Sequence, residues 1–401
     1  MRNVLTTVSL LLFATMALAA EPITIGEVVK LNSKVLGEER TILISTPATY
    51  AQGQERFPVL YMTDGDAHLT HTRGTVDFLA RNQLMPNVII VAVTNTDRTR
   101  DLSPTRASRR LPDGTRQEIP NSGGAGRFLD FFEKELIPYV EGHYRTVPYR
   151  IFAGHSLGGL LSLYTLTARA ELFNAYIAAS PALNFDDDYI MGRMTTFLGE
   201  QRGLQRTLFV TMANEEDADP KPTRFDRLCT MLGNAKIAGF SSACMRMADE
   251  THGSVVLRSH YYGLRKLYDG WQLSLGTPAA PFNMTMAEIV QHYAGLSKRF
   301  GYAIVPPELV VNQAGYILLG QKRTDDAIAI FRGNVELYPF SANVYDSLAE
   351  ALERAGRTEE SLANYERAVD TAKKTGDKRL EIFTANRDRA VAAAKAKKPS
   401  S

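Results

Sequence analysis

The segment best equipped for chemistry is Gly154-His155-Ser156-Leu157-Gly158. A strand-like run, Arg150-Ile151-Phe152-Ala153, leads into it, and an apolar helical run, Gly159 to Tyr164, leaves it. A G-x-S-x-G pattern between strand and helix makes a sharp turn. The turn raises the serine hydroxyl above the sheet end and aims the following amide at the oxyanion of a tetrahedral intermediate. Ser156 is therefore the expected nucleophile, and the Leu157 backbone amide one oxyanion donor. The implied chemistry is acyl transfer through a covalent intermediate.

A serine hydroxyl needs a base, and in this architecture the chain order is serine, acid, histidine. His252 and His260 lie downstream of the serine and ahead of the helical region. His252 sits in a polar turn, Ala248 to Ser254, and such loops carry catalytic groups. His260 falls inside the helical run Val255 to Tyr268. His252 is thus the expected base, with His260 assigned to packing or surface. His68, His71 and His143 precede the serine, His155 adjoins it as a packing residue, and His292 belongs to the helical region. The acid is expected after the strand-like run ending at Met212. Glu215, Glu216, Asp217 and Asp219 crowd that loop, which locates the acid without resolving it. The second oxyanion amide is expected near Asp66, in the loop Thr63 to His68, where Gly65 permits a tight turn.

These residues need a scaffold. Apolar runs at Thr41–Thr46, Phe57–Met62, Val88–Val93, Arg150–Ala153, Ala175–Ala179 and Leu208–Met212 alternate with helical patterns such as Phe128 to Ile137. Several runs are apolar without alternation, as parallel strands buried on both faces require. The fold class is α/β: a mostly parallel sheet with helices on both faces. Leu275 to Pro281 holds two prolines and a glycine and reads as a linker. Beyond it, Arg323–Phe331 and Arg357–Tyr365 align at an offset of 34, the period of tetratricopeptide repeats. Two such repeats are too few to stand alone, so they are expected to dock on the first domain or on another copy. The expected divisions are 1–20, 21–275, 276–283, 284–376 and a helical end with a flexible tail over 377–401.

The chain has 401 residues, 46 basic and 44 acidic, with 44% hydrophobic residues. That excludes wholesale disorder, and the small net charge of +2 gives no support to a nucleic-acid-coating role. The first twenty residues carry a short apolar run and Ala17-Leu18-Ala19, the pattern of a cleaved export signal. That run is too short to span a bilayer. Periplasmic or secreted location, with cleavage near Ala19 or Ala20, is expected. Cys229 and Cys244 are the only cysteines; a bridge and two separate thiols are equally open. Neither has zinc-ligand spacing, and no metal or organic cofactor is expected.

The first domain resembles the "Putative esterase" branch of the α/β-hydrolases, which includes enterochelin and salmochelin esterases, the formylglutathione-hydrolase (esterase D) type, feruloyl esterases and mycolyltransferases. The resemblance rests on Val59–Asp66, Asn95–Thr105, Glu135–Val140, Gly154–Gly159 and Glu250–Val255. It implies an α/β-hydrolase fold with Ser156 as nucleophile, His252 as base and the Asp66 amide in the oxyanion hole. The family's Gly-x-x-Glu falls on Ala213-Asn214-Glu215-Glu216, which implies Glu216 as the acid. The Ala in place of Gly keeps Glu215 and Asp217 open. Arg98, Arg100 and Asp101 fall on a loop that would overhang the pocket as substrate contacts. Exported relatives with a helical-repeat tail are similar throughout.

The expected function is an exported serine ester hydrolase acting on a small ester, of siderophore type or another anionic kind. Acyl transfer uses the same triad. The competing class is a hydrolase-like interaction protein whose helices bind a protein partner or a second copy. No nucleic acid and no stable membrane insertion are expected.

Overall fold

The computed structural model describes residues 22–111, 113–215 and 221–397. The expected export signal, 1–20, lies outside the described residues.

Eight strands form one sheet: β1 (Glu27–Ser33), β2 (Glu38–Ser45), β3 (Phe57–Met62), β4 (Ile89–Val93), β5 (Thr146–His155), β6 (Ala175–Ala179), β7 (Thr207–Ala213) and β8 (Ser241–Met247). Their order is β1-β2-β4-β3-β5-β6-β7-β8. The strands from β4 to β8 are parallel, while β1 and β2 add on antiparallel. This is an α/β-hydrolase fold followed by a helical region. The central strands are buried on both faces, which is why they read as continuous apolar runs. The two edge strands carry no such run. β1 is EVVKLNS and β8 is SSACMRM, half polar and half-exposed, so their pattern is too weak to stand out.

Helices α1 (Gly65–Arg81), α2 (Leu157–Ala168), α3 (Arg224–Asn234) and α4 (Val255–Leu267) lie in the hydrolase half. The pattern from Phe128 becomes a continuous helical stretch, Ala125–His143, with a π-helical turn at Phe132–Leu136. On that face Phe132 packs edge-to-face against Tyr61, Phe128, Phe131, Phe152 and Phe173.

The expected linker contains a small antiparallel pair, Gly276–Thr277 with Ala280–Pro281. Six helices follow: α5 (Met286–Phe300), α6 (Glu308–Gly320), α7 (Thr324–Leu337), α8 (Ala342–Arg354), α9 (Thr358–Thr375) and α10 (Leu380–Lys397). α6 and α8 begin 34 residues apart, as do α7 and α9. The helical region docks on the sheet's second face. From the hydrolase half Tyr268 stacks on Phe300 while Tyr149 and Trp271 meet it edge-to-face, and this core runs on through Ile289, Tyr293 and Val310. Over 377–401 the expected helical end runs as far as Lys397, and the last four residues lie outside the described residues. Phe383 and Ala390 are buried against the preceding helices, an anchor its Ala/Lys-rich composition hides. Among the described residues no helix is long and apolar enough to cross a membrane.

Cys229 on α3 and Cys244 on β8 form a disulfide, their Cα atoms 5.9 Å apart.

Candidate active site

β5 ends at His155, and Ser156 stands between it and α2 with φ 59° and ψ −113°. A non-glycine residue there is strained, and the surroundings must hold it. Two hydrogen bonds do so. The Ser156 amide donates to Ala179 O at 3.0 Å, and Ser156 O accepts from the Ala182 amide at 3.1 Å. The flanking glycines are dictated by close approach. A Cβ on Gly154 would lie 2.1 Å from Gly158 O, and one on Gly158 would lie 2.3 Å from Thr63 Oγ1.

The Gly158 contact brings the elbow against the loop before α1. There Asp64 adopts a left-handed conformation (φ 55°) and α1 starts at Gly65. Leu157 and Asp66 both lie in the first turn of a helix, where amides have no intrahelical acceptor. Both expected oxyanion donors are therefore helix N-terminal amides on adjoining turns. Arg98 holds this junction together. Its Nε donates to Asp64 Oδ1 at 2.6 Å, and its Nη2 donates to His155 O at 3.1 Å. Asn95 also donates to Asp64 Oδ1, at 2.7 Å. Burial alone would raise the Asp64 carboxyl, but Arg98 and Asn95 outweigh it and hold it below the usual aspartate value.

His252 lies on the loop between β8 and α4. Its Nδ1 is 2.5 Å from Glu215 Oε2. With Nδ1–H donated to the carboxylate, Nε2 keeps its lone pair for a proton. Glu215 is placed by the end of β7. Its amide bonds Ala213 O, and the Asn214 amide bonds Glu250 O at 3.0 Å, tying the acid loop to the histidine loop. Glu216, the residue the resemblance implies, and Asp217 lie outside the described residues. Among the described residues the carboxylate on His252 is Glu215, one of the alternatives the sequence left open.

His155 does more than pack. Its Nε2 is 2.7 Å from His252 O, and the two rings lie 4.5 Å apart. The residue beside Ser156 thereby tethers the histidine loop. Burial, with His252 and His68 nearby, pushes His155 down to about 4, so it is neutral and donates Nε2–H to that carbonyl. Behind it His68, His71 and His260 form an aromatic cluster, with His260 buried and its Nδ1 2.8 Å from Thr72 Oγ1. This tether was not legible in sequence. The one available hint was a histidine inside the motif itself.

The three expected substrate contacts each make ion pairs within the protein. Arg98 holds Asp64. Asp101 is buried, receiving Arg40 at 2.5 Å and Arg100 at 2.7 Å. Arg100 also binds Glu38 at 2.5 Å. This four-residue ion network fixes the loop, and each Asp101 oxygen already accepts from a guanidinium. Among the described residues no group of three or more His, Cys, Asp or Glu side chains could hold a metal ion.

Comparison with known proteins decides the family. A family model described as "Putative esterase" matches residues 33–222. Those residues are similar to that family. The chain is 28% identical over 262 residues to the ferri-bacillibactin esterase BesA of Bacillus subtilis (strain 168), covering 60% of this chain and 89% of BesA. It is 32% identical over 168 residues to a siderophore triacetylfusarinine C esterase of Aspergillus fumigatus, covering 40% of this chain and 58% of that relative. The crystal structure of an IroE-like serine hydrolase from Shewanella oneidensis superposes with a TM-score of 0.67 at 29% identity. It covers 78% of this chain and 99% of that one. The chain is an esterase on an α/β-hydrolase scaffold.

Proposed function

We propose that this esterase is an exported serine hydrolase that cleaves siderophore-type esters through an acyl-enzyme. Ser156 Oγ attacks the ester carbonyl while His252 Nε2 takes its proton. Glu215 holds the tautomer and stabilises the imidazolium. The amides of Leu157 and Asp66 receive the oxyanion. His252 then returns the proton to the leaving alcohol, and water repeats the sequence on the acyl-enzyme. The observation that carries this reading is the 2.5 Å contact between His252 Nδ1 and Glu215, on a loop that His155 tethers to the strained Ser156 turn. The siderophore class is supported by the siderophore esterase activities of the two relatives from Bacillus subtilis and Aspergillus fumigatus. The Cys229–Cys244 bridge supports an oxidising compartment.

The test is turnover of p-nitrophenyl butyrate and of ferri-bacillibactin by wild type, Ser156→Ala and His252→Ala, with fluorophosphonate labelling of each. Turnover and labelling lost in Ser156→Ala support the nucleophile. Activity retained in Ser156→Ala refutes it. Butyrate cleavage without ferri-bacillibactin cleavage refutes the substrate class alone.

A further inference from the structure

At the opposite end of the sheet from Ser156 lies a cavity of about 890 Å³. Val147, near the start of β5, lines it. Ser156 follows the end of the same strand, nine residues on, or about 30 Å away at the rise of a strand. The cavity is therefore separate from the esterase site and independent of the catalytic reading.

Both halves of the chain build it. The hydrolase half gives Met85, Trp271 and Leu273, and the helical half gives Tyr293, Ile304 and Val310. Trp271, Met85, Leu273, Tyr293 and Val310 are buried, so the floor is apolar and aromatic. At the mouth, Val305 and Leu309 remain more than half exposed, at 51% and 58%, though both are large and apolar. The charged groups lining the cavity are Glu55, Arg56 and Arg81, all exposed. Arg56 donates to Thr146 O at 3.3 Å. Neither guanidinium has an acidic partner among the described residues.

A concave site of this volume, apolar within and bearing a few polar groups, is the form small-molecule sites take. Two unpaired guanidiniums against one carboxylate select an anion. From this geometry we infer that the cavity binds an amphipathic anion: an apolar chain or ring lying against Trp271 and Tyr293, with a carboxylate or sulfonate at Arg56 and Arg81. Because both halves line the site, the ligand bridges the esterase domain to its helical region.

Trp271 is the chain's single tryptophan, which gives the site its own reporter. The experiment titrates purified protein with anilinonaphthalene sulfonate and reads emission sensitised by Trp271. Saturable one-to-one binding is expected, with sensitisation lost in Trp271→Phe and binding unchanged in Ser156→Ala. Ala80→Phe, which fills the cavity wall from α1, is expected to weaken binding by at least about tenfold. Decanoate should displace the probe at least about tenfold better than decyltrimethylammonium. Arg56→Ser/Arg81→Ser, both at exposed positions, should abolish that preference. Non-saturable binding, or wild-type affinity in Ala80→Phe, overturns the site. Equal displacement by the two amphiphiles, or a preference that survives loss of both arginines, overturns the ligand class.

Discussion

Replacing Glu215 by Ala tests which carboxylate serves His252. The side chains are 45% and 27% exposed, so this pair sits partly in solvent. Opposite charges about 4 Å apart attract by about 1 kcal/mol in water and about 4 kcal/mol at an effective dielectric of 20. The imidazolium forms only during reaction, so that attraction is lost from the transition state rather than from the ground state. At 1.36 kcal/mol per factor of ten, the loss in kcat is about fivefold to about a thousandfold. We expect about a hundredfold, well short of the roughly 10⁴ seen when a buried triad acid is changed. KM should hold, since the carboxylate does not touch the substrate. The assay is kcat and KM for p-nitrophenyl butyrate at neutral pH, with Glu216→Ala in parallel. If Glu215→Ala stays within twofold of wild type while Glu216→Ala falls, the acid is the residue of the family register and the reasoning fails.

Gly158→Ala should cost more activity than stability. Its Cβ would meet Thr63 Oγ1 and displace the turn carrying the Asp66 amide, so kcat should fall at least about a hundredfold, the size of losing one oxyanion donor. Circular dichroism should show the fold retained. Asp101→Ala should leave Arg40 buried without its strongest partner and cost about 3–5 kcal/mol, read by urea denaturation. The folded enzyme's KM should stay near wild type, and a large rise in KM would restore Asp101 as a substrate contact. Burial holds His68, His71, His155 and His260 below the ordinary histidine value. The unfolded chain then binds protons that the folded chain refuses. Stability should therefore be full above about pH 6.5 and fall as pH drops below it. His260→Asn should flatten that slope in denaturation curves, and an unchanged slope would count against the cluster.

The central strands were legible because parallel strands covered on both faces must be apolar throughout, as Val59 to Met62 and Ile89 to Val93 are. The edge strands were not, since one side of β1 and β8 faces solvent and their composition reflects it. The G-x-S-x-G turn carries its geometry in its glycines, so Ser156 was readable from local sequence alone. The ion network at Arg100 and Asp101 was not legible, because a charged loop has the same sequence whether its charges face a ligand or one another. Only the approach of Arg40 and Glu38, some sixty residues earlier in the chain, turns them inward.

The order of the candidate groups along the chain was thus a property of the sequence: a serine on a strand-to-helix turn, a carboxylate loop after the next strand but one, and a histidine loop after the last. Local chain geometry dictates those features, and local residues encode it. The choice among neighbouring carboxylates was tertiary. It depends on which side chain the end of β7 directs at a loop 37 residues further on, and a shift of one residue changes that direction entirely. The tether from His155, the Arg98 clamp on Asp64, the disulfide and the cavity between the two halves are tertiary for the same reason. Each joins segments that no local pattern relates, and the packing of the whole chain brings them within contact distance.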